Sequence, residues 1–271
     1  MSEATLCAAL AERAARAGGV VARQTFRELL AVETKEGPLD LVTDADRDAQ
    51  RQVIATIRQE FPDAPLVCEE DSHPPGVDIT LEDSSPQSGT AWVVDPIDGT
   101  ANYVRGMRFW TTTVAAVRAG EPVGVATYLP AIEDSYTAGP ESVSLNDEPM
   151  AVSDRTDPAL FAVGLIGRWD SETVPVELLR RATHNVGDIR RLGSMQGALA
   201  LVAAGSLDGA FTPTTPPPWD TVAGVHLVRR AGGTATDIHG DRWHADATGL
   251  VVSNGEGHDR LVEVVQAGRE A

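Results

Sequence analysis

A strand-like apolar run that passes directly into two closely spaced aspartates constrains this chain more than any other feature. The run Ala91–Val94 predicts a buried strand that ends on Asp95, and a second carboxylate, Asp98, follows three residues later. Pro96 stiffens the turn between the two acids. A strand end that presents two carboxylates is suited to hold hard cations through oxygen ligands.

A glycine and a hydroxyl complete this turn and predict an anion site beside the cations. Gly99 allows the backbone to approach a ligand closely, and the amides of Gly99 and Thr100 can face an anion. Oxygen ligands beside an anion-binding turn predict metal-assisted phosphate chemistry. Taken alone, the same residues also fit an acidic turn, in which Asp and Gly are common for conformational reasons.

Two other segments place acids at the ends of predicted elements. Glu69 and Glu70 follow an apolar strand predicted over Pro65–Cys68, and Asp220 lies near the start of a helix predicted over Trp219–Ala231. The six histidines are scattered and form no cluster with cysteine. The sequence therefore disfavours zinc and favours Mg²⁺.

Composition narrows the class of protein. The chain has 271 residues, enough for a sizeable core, and its two cysteines, Cys7 and Cys68, make no disulfide framework. No apolar stretch approaches membrane-spanning length, and the start Met1–Glu3 lacks the basic and apolar regions of a signal peptide. We therefore expect a cytoplasmic protein with no membrane partner.

The chain is strongly acidic, with a formal net charge of −18 and Lys35 as the only lysine among 22 basic residues. Such a surface disfavours nucleic acid and anionic membranes as partners. Scarce lysine follows either from a GC-rich genome or from adaptation to high salt, where screening removes the self-repulsion of the surface. We favour a halophilic host. Lys35 itself either neutralises phosphate charge or is an exposed loop lysine.

Hydrophobic periodicity predicts helices and paired strands in the N-terminal half. The expected elements are one long helix over Ala4–Leu30 with a kink permitted at Gly18–Gly19, a second helix over Thr43–Glu60, a surface loop over His73–Gly89, and paired strands over Thr111–Val117 and Val123–Tyr128.

From about Gly139 the pattern changes to alternating strands and helices, which implies an α/β half. The expected strands are Phe161–Ile166, Ile189–Leu192 and Asp208–Thr212, and the expected helices are Val174–Ala182, Met195–Ala204 and Trp219–Ala231. We therefore predict an α/β fold class with one domain over residues 1–271. It divides into an α+β subdomain of about 1–138 and an α/β subdomain of about 139–271.

The acidic motifs, in this order, resemble those of the inositol monophosphatase family of magnesium-dependent, lithium-sensitive phosphatases. The family pattern is Val-Thr-x-x-Asp ahead of a helix, then Gly-Glu-Glu, Asp-Pro-(Ile/Leu)-Asp-Gly-Thr-x-Asn and Trp-Asp-x-Ala-(Ala/Gly)-Gly. These motifs stand here as Val42–Asp46, Cys68–Glu70, Asp95–Asn102 and Trp219–Gly224. The resemblance implies a layered αβαβα sandwich of the inositol monophosphatase and fructose-1,6-bisphosphatase type, with the metal site between its halves.

The resemblance implies a metal site built from carboxylates and one backbone carbonyl. The ligands expected are the side chains of Glu69, Asp95, Asp98 and Asp220 and the carbonyl of Ile97. Carboxylates this close together raise one another's pKa and repel unless cations neutralise them. The cofactor expected is therefore Mg²⁺, with two or three ions in the site.

The resemblance also assigns catalytic and substrate-binding roles. Thr100 and Asp46 are expected to orient and activate the attacking water, although Asp46 also fits the capping position of a helix start. Glu70 is expected in the catalytic group, behind the metal ligands. Contacts to phosphate and substrate are expected from Gly99, Thr100, Asn102, Gly193 and Ser194, and Asn102 is better suited to stabilise the turn than to act as a catalyst.

The sequence constrains the identity of the substrate less than it constrains the metal chemistry. Inositol-specific members carry a glutamate six residues before Trp-Asp, whereas Phe211–Pro218 contains no acid. We expect a phosphomonoesterase acting on inositol monophosphate or related sugar and polyol phosphates, with fructose-1,6-bisphosphatase or histidinol-phosphate phosphatase as alternatives. A regulatory relative that acts without turnover is the alternative from a different class. The partner expected is a small phosphate ester, and the assembly expected is a homodimer.

Overall fold

The computed structural model describes residues 2–28, 32–34, 41–70, 89–167 and 176–269. These residues form five alternating layers of helices and sheets. Residues 73–88 of the loop predicted over His73–Gly89 and the candidate Lys35 lie outside the described residues.

Two helices form the first outer layer, α1 (Glu3–Gln24) and α2 (Asp44–Arg58). The Ser2 side chain caps α1, and the helix ends at Gln24, earlier than the predicted Leu30. It continues through Gly18 and Gly19, which are needed for packing instead. A Cβ on Gly18 would lie 2.5 Å from a methyl group of Val53 on α2, so only glycine lets the two helices approach this closely.

A seven-stranded sheet forms the second layer, and a two-stranded ladder precedes it. The ladder pairs β1 (Val32–Thr34) with β2 (Leu41–Thr43). The order within the sheet is the order of the chain, β3 (Leu66–Cys68), β4 (Ala91–Asp98), β5 (Thr111–Arg118), β6 (Glu121–Leu129), β7 (Asp134–Ala138), β8 (Val143–Leu145) and β9 (Glu148–Pro149). Only β3 and β4 are parallel, and the other neighbours are antiparallel. The paired strands predicted over 111–128 are confirmed as β5 and β6.

The prediction that the first motif's strand ends on Asp95 is wrong. Strand β4 runs on to Asp98, and it pairs with β5 on both sides of an irregularity in register. Asp95 lies opposite Thr113 and Asp98 lies opposite Thr111, so one extra residue bulges out of β4 around Pro96. The bulge lets two carboxylates of the same strand approach one site.

The last three layers are two central helices, a five-stranded sheet and two outer helices. The outer helices are α4 (Val176–Asn185) and α7 (His258–Arg269), and the central ones are α5 (Met195–Ala203) and α6 (Val222–Arg230). The sheet order is β11 (Asp188–Arg190), β10 (Ala162–Leu165), β12 (Gly209–Thr212), β14 (Leu250–Ser253) and β13 (Thr234–Thr236). The predicted alternation of strands and helices is confirmed up to α6, whereas β13, β14 and α7 were not anticipated.

Side-chain alternation along the strands explains the layering. In β4, Trp92 and Val94 pack with α1 and α2, whereas Val93 packs with α5 and α6 on the opposite face. In the second sheet, Ala210 faces α5 and α6, and its neighbour Phe211 packs with α4 and α7. Helices α5 and α6 therefore lie between the two sheets, and the predicted mixed α/β sandwich is confirmed.

Two boundaries differ from the sequence reading in ways that matter for the site. The helix predicted from Trp219 begins only at Val222, because Pro218–Asp220 forms a separate 3-10 turn whose next residue, Thr221, leaves the helical geometry. The first sheet also continues to Pro149, beyond Gly139 where the pattern was expected to change. The division into two subdomains stays a prediction. Within the described ranges, no helix combines the length and apolarity that crossing a membrane requires.

Candidate metal centre

The parallel pairing of β3 and β4 brings the first two acidic motifs together. Cys68 pairs with Val94, so both strands reach the same edge of the sheet, and the amide of Glu69 donates to the Val94 carbonyl at 3.1 Å. Glu69, the residue after β3, therefore lies beside Asp95, which belongs to β4. The negative charge of Glu69 contributes to raising the pKa of Asp95, which shows that the two carboxylates interact.

Three predicted ligands converge at this edge. One carboxylate oxygen of each of Asp95, Asp98 and Asp220 lies within 4.8 Å of the others. The first two come from the two sides of the β4 bulge, and Asp220 comes from the 3-10 turn before α6. In the described part of the chain, no histidine or cysteine joins this group, so its donor set is that of a hard cation.

Asp95 is the residue whose environment demands a cation. It is 1% exposed, and neither of its carboxylate oxygens accepts a hydrogen bond. Burial, and then the charges of Glu69, Asp98 and Asp220, raise the pKa of Asp95 well above its usual range. A buried carboxylate without a donor or a countercharge is costly. Bound Mg²⁺ removes that cost, and the residues present fit it.

Asp98 is held by the N-terminus of α5. Its Oδ1 accepts from the Met195 amide at 3.0 Å, and its Oδ2 accepts from the Gln196 amide at 2.7 Å and from the Ser194 hydroxyl. Burial raises the pKa of Asp98, and these hydrogen bonds oppose that shift. The helix N-terminus thus fixes the direction of the carboxylate and favours its charged form.

Gln196 was missed in the sequence, although it links two of the expected ligands. Its side chain is fully buried, donates to the Trp219 carbonyl at 2.5 Å and accepts from the Gly224 amide at 2.8 Å. Its own backbone amide binds Asp98. Gln196 therefore ties the position of Asp98 to the turn that carries Asp220. No local pattern reveals this link, because it joins segments more than twenty residues apart.

The predicted water-activating pair is in contact. Thr100 Oγ1 lies 3.1 Å from Asp46 Oδ1 and 3.0 Å from the carbonyl oxygen of Ile97, the expected backbone ligand. Asp46 is fully buried, and its other oxygen accepts from the Thr43 amide at 2.8 Å and the Thr43 hydroxyl at 2.6 Å, which completes a capping box at the start of α2. The cap and the Thr100 contact use different oxygens of one carboxylate.

Glu70 is buried at the same edge, and its backbone is fixed by a second glutamine that the sequence did not single out. The amide of Glu70 donates to Gln50 Oε1 at 3.0 Å, and Gln50 Nε2 donates to the Glu70 carbonyl at 2.8 Å. Gln50 lies on α2 and is fully buried. The helix that carries Asp46 therefore also holds the Glu69–Glu70 segment.

The remaining candidates form a packed loop junction. Gly99 has φ +93°, and a Cβ there would lie 2.9 Å from the carbonyl oxygen of Gly193, so glycine is required for this contact as well as for the turn. Asn102 donates to the carbonyls of Phe109 and Leu192, both at 2.7 Å, which is the turn-stabilising role considered for it. Ser194 caps α5 and binds Asp98.

Comparison with known proteins agrees with this geometry. The model of the inositol monophosphatase family matches residues 3–270. The inositol-1-monophosphatase of Rhizobium meliloti is 33% identical over 272 residues, covering 98% of each chain. The fructose-1,6-bisphosphatase/inositol-1-monophosphatase of Thermotoga maritima is 33% identical over 235 residues, covering 86% of each. The solved structure of a Thermotoga maritima IMPase has a TM-score of 0.84 at 30% identity, covering 95% of this chain and 96% of that one.

The layered fold and its buried carboxylate edge define a metal-dependent hydrolase of phosphate monoesters. This chain belongs to the inositol monophosphatase family.

Replacing Asp95 by Asn tests whether the buried charge is unbalanced without metal. A carboxyl group whose pKa is raised in the folded state contributes its full stability to the protein below its usual pKa of 3.8. That contribution is lost as the pH rises through the folded-state pKa. In EDTA at neutral pH, Asp95→Asn should therefore raise the Tm by about 2–4 °C, equivalent to about 1 kcal/mol. With excess Mg²⁺ the wild type should gain more Tm than the variant. Asp63→Asn, at an exposed position, is the control. An unchanged or lower Tm for Asp95→Asn in EDTA would contradict this account.

Replacing Gln196 by Leu tests the link between Asp98 and Asp220. The apolar isostere keeps the volume but loses the hydrogen bonds to Trp219 and Gly224. We expect Mg²⁺ binding to weaken by about 10–100-fold, as is typical when groups that orient metal ligands are removed. Calorimetric Mg²⁺ titration measures the effect. If the variant binds Mg²⁺ with the affinity of the wild type and only its Tm falls, Gln196 is not needed for Mg²⁺ binding.

Proposed function

We propose that this enzyme is a Mg²⁺-dependent phosphomonoesterase acting on inositol monophosphate or related small sugar and polyol phosphates. The observation that carries the proposal is the buried Asp95 carboxylate, which lacks hydrogen-bond donors and lies beside Asp98 and Asp220. The names of the relatives support the substrate class, since they include inositol-1-monophosphatase and fructose-1,6-bisphosphatase activities.

We assign the metal to the five groups that the sequence singled out. Two or three Mg²⁺ ions would be held by Glu69, Asp95, Asp98, Asp220 and the Ile97 carbonyl. Bound Mg²⁺ supplies Lewis-acid charge for the phosphate oxygens, the nucleophile and the leaving group. The proposal is supported by the difference between two of these acids, because the amides of α5 donate to Asp98 but do not reach Asp95.

Thr100 and Asp46 orient the attacking water in this proposal. When the Thr100 hydroxyl donates to Asp46 Oδ1, the lone pairs of its oxygen face outward to accept a hydrogen bond from water. The carboxylate keeps its direction because its second oxygen is bound to Thr43. The oriented water attacks phosphorus in line, the P–O ester bond breaks and the substrate alcohol leaves. Neither cysteine is needed as a nucleophile.

Variants of this pair separate catalysis from structure. Thr100→Ala should lower kcat on the order of 10²-fold while leaving the Mg²⁺ half-saturation concentration nearly unchanged, and Thr100→Ser should restore most of kcat. Asp46→Asn keeps an oxygen for the Thr43 amide, so its Tm should change little while kcat falls. Phosphate release at varied Mg²⁺ measures both effects. A Thr100→Ala enzyme with normal kcat and weaker Mg²⁺ dependence would assign that hydroxyl to metal binding instead.

Segment 211–218, which the family resemblance places beside the substrate alcohol, has no charged acceptor. Its hydroxyls at Thr212 and Thr214 lie 2.9 Å apart and bond to each other, and prolines make up much of the remaining segment. A site that hydrogen-bonds a hydroxyl rejects analogues without it, whereas an apolar wall discriminates weakly. We therefore propose a broad phosphatase, with fructose-1,6-bisphosphatase activity as the alternative main reaction.

A substrate panel tests this breadth. We expect kcat/KM for inositol 1-phosphate to lie within about a thousandfold, or roughly 4 kcal/mol, of the values for fructose 1,6-bisphosphate, glycerol 2-phosphate and histidinol phosphate. All four are assayed for released phosphate in one buffer. A larger preference for inositol 1-phosphate would mean that another residue recognises its hydroxyls.

The regulatory alternative is tested by the same assay. A protein that acts without turnover would gain Tm with Mg²⁺ but release no phosphate from any ester. The complete carboxylate set of the metal centre favours turnover, because its buried charge serves no purpose in a surface that only binds a partner. Activity that persists undiminished in excess EDTA would exclude the metal mechanism.

We further propose that the protein is a cytoplasmic homodimer adapted to high salt. The support for salt adaptation is the composition, with 40 acidic against 22 basic residues. If self-repulsion limits stability, raising KCl from about 0.1 to about 3 M should raise the Tm by screening. Sucrose at equal osmolality is the control, since it does not screen charge. A Tm that rises equally in both solutes would remove the argument for salt adaptation, and sedimentation measures the oligomeric state.

A further inference from the structure

A cavity separate from the carboxylate edge lies beside α6. Its lining is positively charged, whereas the carboxylate edge is negatively charged. Its volume is about 790 Å³, and three segments form its walls: the β5–β6 turn, the start and outer face of α6, and residues 242–246. None of the metal ligands expected in the described residues lines it. The volume lies within the range of small-molecule sites.

The cavity walls are positively charged in a chain whose net charge is −18. Arg229, Arg230 and Arg242 line the cavity together with only two acids, Glu121 and Asp246. Arg242 pairs with Glu121 at 3.1 Å across the opening between the β5–β6 turn and the 242–246 segment. Arg229 and Arg230 form no ion pair with any described residue, so the lining retains positive charge.

The surroundings of α6 report the same positive field. The half-buried Arg229 has a lowered pKa because of burial and the charge of Arg242. Burial, and then Arg230 and Arg229, lower the pKa of His226 to about 4, so this ring is neutral at pH 7. Burial is the larger cause of both shifts and the neighbouring arginines add to it, so a further cation is disfavoured beside α6.

The hydrogen bonds that Arg229 and Arg230 make within the protein do not neutralise their charge. Arg229 donates to the carbonyls of Ala235 at 3.3 Å and Trp243 at 2.9 Å, and Arg230 donates to the carbonyl of Pro140 at 2.9 Å. These acceptors are neutral, so each guanidinium keeps its full charge and further donors. Val222, Val225 and Trp243 supply an apolar wall beside them.

We propose that this cavity binds a small organic anion, a carboxylate or phosphate ester, whose charge faces the arginines and whose apolar body packs against Val225 and Trp243. Guanidinium groups match the planar oxygens of both anions, and the apolar wall selects against inorganic ions. Pro218 and Val222 line the cavity on either side of Asp220, so an occupant contacts the segment that carries this residue.

The test uses 3-phenylpropionate, phenylphosphonate and the neutral 3-phenylpropionamide as probes, titrated into the Mg²⁺-loaded protein by calorimetry. We expect one saturable site for an anion and at least tenfold weaker binding of the amide, as expected for loss of a charged partner. The two anions distinguish carboxylate from phosphate recognition. Equal binding of the acid and the amide, or no saturable binding of either anion, would overturn the proposal.

Variants of exposed residues locate the site. Arg230→Gln should weaken binding of the anions by about tenfold, whereas Glu121→Gln should tighten it several-fold because it frees Arg242 from its partner. Ala245→Trp fills the cavity without changing charge and should abolish binding. Circular dichroism confirms that each variant is folded. An anion bound at the metal centre would be insensitive to all three variants, and that result would overturn the proposal.

A final measurement asks whether the cavity and the metal centre are coupled, and this part rests on the proposed function. Saturating 3-phenylpropionate should shift the Mg²⁺ half-saturation concentration several-fold in the wild type and not in Ala245→Trp, and Mg²⁺ should shift the anion affinity by the same factor. Normal anion binding with unchanged Mg²⁺ affinity would overturn the coupling. If the protein bound no Mg²⁺ at all, the proposed function would be wrong. The anion site would still be tested by its own titration.

Discussion

The repulsion among buried carboxylates at the ends of β3 and β4 is the constraint around which this structure is arranged. Asp95 is almost fully buried without a hydrogen-bond donor, and its neighbours Glu69, Asp98 and Asp220 add negative charge. An unpaired buried charge costs several kcal/mol, an appreciable part of the stability of a typical domain. In the proposed function a divalent cation would offset that cost, and the same charge would then serve phosphate chemistry.

Holding the acids together requires contributions from three layers of the sandwich. The parallel β3–β4 pair brings Glu69 beside Asp95, and the bulge in β4 brings Asp98 to the same edge. The N-terminus of α5 binds Asp98 from the central helical layer, and Gln50 on α2 holds the Glu69–Glu70 backbone from the outer one. Backbone amides thus fix Asp98, and buried glutamines fix the segments that carry Glu69 and Asp220. Asp95 alone lacks a hydrogen-bond donor among these four acids.

The sequence predicted those parts of the site that depend on local chemistry. The motif acids could be found because several acidic motifs occur in the order of the family, although Asp95–Thr100 alone also fits an acidic turn. The capping position of Asp46 follows from residues three apart. The continuation of β4 to Asp98 could not be found, since it depends on pairing with Thr111 on β5. The same holds for Gln196 and Gln50, whose partners are distant in the chain. The proline run before α6 did carry a signal, because three prolines in succession favour a break before a helix starts.

The two oxygens of Asp46 allow one carboxylate to cap a helix and, in the proposed mechanism, to take part in the chemistry as well. A capping box alone uses one oxygen, and in this chain Oδ2 accepts both hydrogen bonds from Thr43. Oδ1 is therefore available to Thr100, and its direction is set by the helix start and not by the flexibility of a loop. Because α2 also fixes the Glu70 backbone through Gln50, one helix positions the water-orienting pair and the segment that carries Glu69 together. In the proposed mechanism a displacement of α2 would therefore disturb the Thr100–Asp46 pair and the Glu69 segment in the same step. The close contact between Gly18 on α1 and Val53 on α2 leaves little room for such a displacement.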